Sequence, residues 1–336
     1  MLRYTVRRLI QLVVVVLVLS LLVFAWLRAL PGGPASALLG DRGTEESRAA
    51  LSAQLGLDQP IFIQYFKFLG RAITGNFGNS TGVQPGDPVV DIFLQRFPAT
   101  LELSAFAIVL AVIAGIPLGY LAAKRRGGWF DNLSVGASLI GVAVPVFFLA
   151  FLLKYLLSTK FGILPSFGRQ DGAIEATRVT GFFVLDGILT QEWDAAWDAF
   201  RHLVLPAIAL ATIPFAVIFR ITRAAVLEVL NEDYVRTAES KGLLGSVIRR
   251  RHVLRNAMLP VVTTIGLQVG ALLAGAVLTE KVFAFSGVGE ALALGFERRD
   301  YPLLQMFIMV AAIVYVLVNL LVDLSYALID PRIRAR

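Results

Sequence analysis

Six long apolar stretches dominate this chain and leave few ways for it to fold. They run from Leu9 to Leu27, Leu103 to Ala123, Leu133 to Leu153, His202 to Phe219, Leu259 to Thr279 and Pro302 to Val322. A helix rising about 1.5 Å per residue needs about 20 residues to cross a hydrocarbon layer of about 30 Å, so each run has the length of one crossing. Lipid offers no partner to a backbone N–H or C=O, and these runs are therefore expected to be helical. Hydrophobic residues make up 57% of the chain against 16% charged, a balance that excludes an ordinary water-soluble domain. The expected class is an all-α membrane protein of six transmembrane helices. Pro117, Pro145 and Pro214 should kink their helices, and the fourth run, with Pro206 and Pro214, is close to the minimum length.

Charge sets the orientation. The net charge is +7, but the cations lie in short blocks between apolar runs, which argues for membrane topology and against nucleic acid. Arg3, Arg7 and Arg8 precede the first run, Lys124 to Arg126 follow the second, eight Lys or Arg fall between Arg220 and Arg255, and Arg332, Arg334 and Arg336 end the chain. Six crossings bring all these blocks to one face, so both termini are expected in the cytoplasm. The resulting plan is an N-terminal helix over 1–30, an external loop over 31–97, a five-helix core over 98–330 and a tail over 331–336. The first run is longer than the apolar part of a signal peptide and lacks the small-residue cleavage spacing, so it reads as a retained span. Ile61 to Leu69 reads as a helix lying on the outer membrane surface, and the aromatic-rich external segment 159–201 as packed or interfacial structure.

The cytoplasmic loop 220–258 is longer than a simple connection requires. Asn231, Glu232 and Asp233 offer capping oxygens before the helical octet Tyr234-Val235-Arg236-Thr237-Ala238-Glu239-Ser240-Lys241, and Gly242 is placed to end it. Tyr234 and Ala238 share a face by i, i+4 spacing, which would let another protein approach closely. Ser246 is a candidate cap for a second helix that leads through Arg249 to Arg251 and Arg255-Asn256 to Leu259-Pro260. Pattern alone leaves a docking element and an ordinary surface helix both open.

The stretch Asp233 to Gly242, followed by Arg255-Asn256-Ala257-Met258-Leu259-Pro260, resembles the coupling loop of ABC importer permeases, and most of all their dipeptide and oligopeptide branch. Thr237-Ala238-Glu239 stands where the general signature has Glu-Ala-Ala, and the gap before Leu-Pro is longer. Further likeness lies in Leu55 to Pro60, Arg96 to Leu103, Arg201 to Pro206, Glu280 to Phe283 with Gly287 and Gly289, and Leu30 to Pro34. The resemblance implies the type I importer permease fold in a bacterial inner membrane and uptake of short peptides. It implies as partners a second permease subunit, two cytoplasmic ATPase subunits docked through Asp233 to Gly242, and an external peptide-binding protein. It also implies that this chain is no enzyme and holds no cofactor, ATP and Mg²⁺ belonging to the ATPases; no phosphate-binding Gly-x-x-x-x-Gly-Lys loop occurs. Nickel, haem or another small solute is the alternative cargo, and an intramembrane enzyme the alternative class.

Other residues carry weaker signals. Cysteine is absent, which removes disulfides, thiolate metal sites and a thiol nucleophile. His202 and His252 fall on opposite faces, so a structural role is expected for His202. Gln268, Gly270 and Gly275 in the fifth run suit close helix packing or the border of a path. Asp323 is an intramembrane carboxylate or one that snorkels to the inner face. Glu102 and Glu280 are expected at solvated outer helix ends.

Overall fold

The computed structural model describes residues 2–29, 35, 36, 39 and 43–329, and no strand forms among them. Leu30 to Pro34 and the tail 331–336 lie outside the described residues, as do the side chains of Gly275 and Asp323. Helix α1 (Leu2–Ala29) is followed by α2 (Glu45–Leu55) and α3 (Ile61–Ile73). Ile61 to Leu69 is helical, as part of α3. Its Gln64 and Phe68 turn inward, with Phe68 against Phe24 of α1, while Ile61, Phe62, Phe66 and Ile73 remain exposed. Tyr65 Oη lies 2.8 Å from Ser20 Oγ, which fixes α3 to α1.

The core is a pair of long helices, α4 (Val89–Lys124) and α8 (Trp193–Leu230). Ala99, Leu103, Ala107 and Ala111 recur every four residues on α4 and bury one stripe with Leu203, Ala207, Leu210, Ala211 and Ile218 of α8. Gly119 lets the backbones meet, since a Cβ there would come within 2.7 Å of the Phe219 carbonyl oxygen. Pro117 and Pro214 lie inside these helices without breaking them. Their small neighbours permit close contact from the facing helix, the setting in which a membrane helix tolerates proline.

Pro145 acts differently. Helix α5 (Trp129–Ala143) ends at Val144, whose extended backbone is what a following proline imposes, and α6 (Val146–Leu153) departs with its π-helical continuation 154–160 at 102°. The third apolar run is thus bent, not straight. Within segment 159–201, α7 (Phe183–Leu189) buries Asp186 and Gly187, while Trp193 and Trp197 remain exposed. After α8 come α9 (Asp233–Ser240), α10 (Gly245–Val247) with a π-helical stretch 248–254, and α11 (Arg255–Gly275). Then α12 (Val277–Phe283) turns 57° from the preceding helix, breaking the fifth run, and α13 (Val288–Glu297) and α14 (Tyr301–Ile329) complete the chain. Among the described residues, α4, α8 and 301–321 of α14 are each long and apolar enough to cross a membrane, and the two bent pairs raise the number to five. Outward side chains such as Ile113, Leu133 and Ile140 are exposed and apolar, as lipid contact requires.

Candidate functional site

Asp233 to Ser240 form α9, and Lys241 and Gly242 end it. Gly242 takes φ +70°, its N–H donates to Glu239 O at 2.9 Å, and the Leu243 N–H donates to Ala238 O at 3.3 Å. These two bonds form a Schellman cap, and the left-handed backbone at Gly242 explains why glycine stands there. The start of α9 corrects the sequence reading. Glu232 holds the cap position without a side-chain bond, and Asn231 donates back to Leu227 O at 2.9 Å, so it closes α8 and does not open α9. Ser246 is likewise no cap: the next helix begins at Gly245 after Leu244.

The two faces of α9 are sorted by burial. Val235 and Ala238 are buried in a cluster with Ala123 of α4, Ala225 and Val226 of α8, Ile248, Val253 and Ala257. The sequence reading placed Ala238 beside Tyr234 on an open face; instead Ala238 is the contact with the chain's own bundle. Tyr234, Arg236, Thr237, Glu239 and Ser240 point outward, and Lys241 and Gly242 are exposed beyond them. Asn256 Nδ2 donates to Tyr234 Oη at 3.0 Å and to His252 O at 2.9 Å, so α11 steadies the exposed ring. Arg255, Asn256, Leu259 and Pro260 occupy the first turns of α11, and all four are exposed. Arg249 to Arg251 are exposed as well.

An ion pair that sequence reasoning missed lies nearby. Asp131, near the start of α5, receives Arg223 Nε at 2.6 Å and Nη2 at 2.8 Å, and the Gly127 N–H at 3.0 Å. Its side chain is 3% exposed. Only the position of Asp131 beside a basic block and two glycines hinted at it in the sequence.

Away from α9, the expectation of solvated carboxylates at Glu102 and Glu280 is overturned. Glu102 is buried and pairs with Arg169 at 2.7 Å, and it also accepts the backbone N–H groups of Phe183 and Val184 at the start of α7. Arg169 donates to Gly181 O at 2.8 Å, and its guanidinium carbon stands 3.6 Å from the centre of the Phe183 ring. Burial pulls the Arg169 guanidinium below its ordinary range, and the adjacent Glu102 carboxylate opposes that shift. Asp186, also buried, gathers the Thr180 N–H and Oγ1 and the Gly181 N–H at 2.6 to 3.0 Å. Burial pushes its carboxyl up, but these hydrogen bonds outweigh burial and hold it below the usual carboxylate range.

Glu280 has no exposed surface. It accepts from Thr100 Oγ1 at 2.7 Å and from the Glu290 N–H at 3.0 Å, and so joins α12 to α4 and α13. A Cβ on Gly289 would stand 2.6 Å from Val277 Cα, which accounts for glycine within the Glu280 to Gly289 pattern. His202 is structural, its Nδ1 2.9 Å from Asp198 O. Gly270 packs against Tyr315 of α14, where a Cβ would lie 3.2 Å from the ring, in keeping with helix packing.

With this arrangement in view, comparison with known proteins gives the class. A family model for the binding-protein-dependent transport system inner membrane component matches residues 115–335, and the model for the N-terminal part of such membrane components matches 1–104. The chain belongs to this family of inner-membrane transport components. It is therefore a multi-pass inner-membrane transport subunit and not an enzyme. It is 44% identical over 338 residues to the dipeptide transport system permease protein DppB of Escherichia coli K12, covering 99% of both chains. The di/tripeptide transport system permease protein DppB of Pseudomonas aeruginosa is 44% identical over 335 residues, again with 99% of each chain covered. The DppB dipeptide permease of Alkalihalophilus pseudofirmus is 40% identical over 334 residues, 99% of this chain and all of that one.

Proposed function

We propose that this chain is one permease subunit of an ATP-driven importer of dipeptides or short oligopeptides, and that α9 is the helix through which a cytoplasmic ATPase drives it. The observation that carries this reading is the two-sided build of α9: Val235 and Ala238 are sunk into the chain's own bundle, while Tyr234, Arg236, Thr237 and Glu239 stand exposed. A short helix anchored in this way passes an external push to α4 and α8. The peptide cargo rests on the full-length likeness to permeases named for dipeptides. Six crossings with both termini inside complete the proposal, α1 adding its apolar stretch Ile10–Trp26 to the five spans above. A second permease subunit, two ATPases that bind ATP and Mg²⁺, and an external binding protein are the proposed partners, and no cofactor is assigned to this chain.

The test is coexpression with the partner permease and ATPases, with Tyr234→Ala and Arg236→Glu combined. Ala238→Arg is unsuitable, because it would disrupt the chain's own core. The double variant should lose ATPase copurification and ATP-dependent uptake of a labelled dipeptide while keeping its own thermal stability. Unchanged ATPase binding would remove the role of α9, and uptake of Ni²⁺ or haem in place of dipeptide would remove the cargo.

A further inference from the structure

Helix α5 buries little of its own surface. Of its residues only Asp131 and Ser138 are buried, whereas Trp129, Leu133, Leu139 and Ile140 are each more than half exposed. One close approach to α8 further along is at Gly141, where a Cβ would lie 3.2 Å from Thr212 Cγ2. Its outer end is the 102° bend at Pro145. Its inner end is the opposite case, a buried carboxylate gripped by both nitrogens of one guanidinium fork and by the Gly127 N–H. Bidentate pairs fix orientation as well as distance, and removing one partner strands a buried charge.

Arg223 sits on the part of α8 that carries α9. Its neighbour Thr222 is the residue on which Gly119 of α4 closes, and Ala225 and Val226, less than one turn further along, pack on Val235 and Ala238. The inner ends of α4 and α8 and helix α9 thus form one packed block, and Asp131 ties α5 to it.

We infer that Asp131 and Arg223 are a positioning pair that makes α5 follow α9, so that a displacement of α9 swings about 20 Å of helix (Asp131 to Ala143, at about 1.5 Å per residue) between the ion pair and the bend at Pro145. This rests on the proposed role of α9 and names a second linkage beyond it. A simple structural staple would stabilise the fold without affecting how much transport each ATP drives.

The absence of native cysteine allows site-directed spin labels at Leu139 on α5 and at the exposed Glu228 on α8, in the block that carries α9, in the complete transporter with its other chains made cysteine-free. The label separation in the wild type should be the same without nucleotide and with ATP trapped. In Asp131→Asn it should broaden under ATP, and peptide imported per ATP hydrolysed should fall about 2- to 30-fold, the range that typical coupling energies give. Arg223→Lys keeps the charge but loses the fork and should fall between the two. A wild-type separation that changes with ATP overturns the inference, as does an unchanged import-to-ATP ratio in Asp131→Asn. Should that variant fail to assemble, the wild-type label measurement and Arg223→Lys decide. A normal ratio in Asp131→Asn alongside lost ATPase binding in the α9 double variant would remove the pair alone; intact binding in the latter would remove the proposed role of α9.

Discussion

Glu102 of α4 and Arg169 of segment 159–201 form an ion pair withdrawn from solvent, Oε2 to Nη2 2.7 Å, with side chains 7% and 6% exposed. Such a pair is weak proof of stability by itself, but losing one member is costly because the other remains buried and charged. Glu102→Ala or Arg169→Ala should destabilise the protein by about 3 to 5 kcal/mol. Glu102→Leu combined with Arg169→Met should cost less than the sum of the two. Unfolding in mixed detergent, followed by tryptophan fluorescence, measures all of these; additive losses would show that the pair is not coupled.

Glycines separate by surroundings. Gly289→Ala drives a methyl group onto the backbone of Val277 and toward the Glu280 carboxylate, and should cost about 1 to 3 kcal/mol. Gly70 of α3 has open space around its Cβ position, so Gly70→Ala should leave stability unchanged or raise it by up to about 1 kcal/mol. The same unfolding measurement should rank the two in that order.

Asp186 predicts an acid limit for segment 159–201. Its folded-state carboxyl titrates below the unfolded one, so the stability that it contributes is complete above the unfolded value of about 3.9 and is lost as pH falls through the folded value. The difference in melting temperature between wild type and Asp186→Asn should be constant from about pH 8 to pH 5 and shrink below about pH 4. A difference that grows on acidification would reverse the sign and contradict the assignment.

Gly242→Ala tests the cap of α9 alone. A Cβ there meets no atom within 4 Å, so the cost is that of the left-handed backbone, about 1 to 2 kcal/mol. Hydrogen exchange at the Gly242 and Leu243 amides should speed up, with amides in the α4 and α8 core unchanged.

Some of this was legible along the chain. The apolar runs, the helix α3 and α9 with its glycine stop are local features, set by a dozen or so neighbouring residues through hydropathy, periodicity and backbone preference. The breaks were half legible: proline marked Pro145, but the same residue at 117 and 214 stays within continuous helices, because small residues along α4 and α8 allow the two to pack closely.

The sequence by itself determined that this protein is a bundle of apolar helices with a short capped helix in its longest basic loop, since length, hydropathy and capping are properties of contiguous residues. Only the tertiary structure decided which face of α9 is free, and that the carboxylates of Glu102, Glu280 and Asp131 are buried and partnered. Their partners Arg169, Thr100 and Arg223 stand 67, 180 and 92 residues away, so the local pattern does not identify them, and for Glu102 and Glu280 it does not distinguish burial from a solvated helix end. A carboxylate's burial depends on which cation or donor the fold brings to it, and that is fixed by packing between helices.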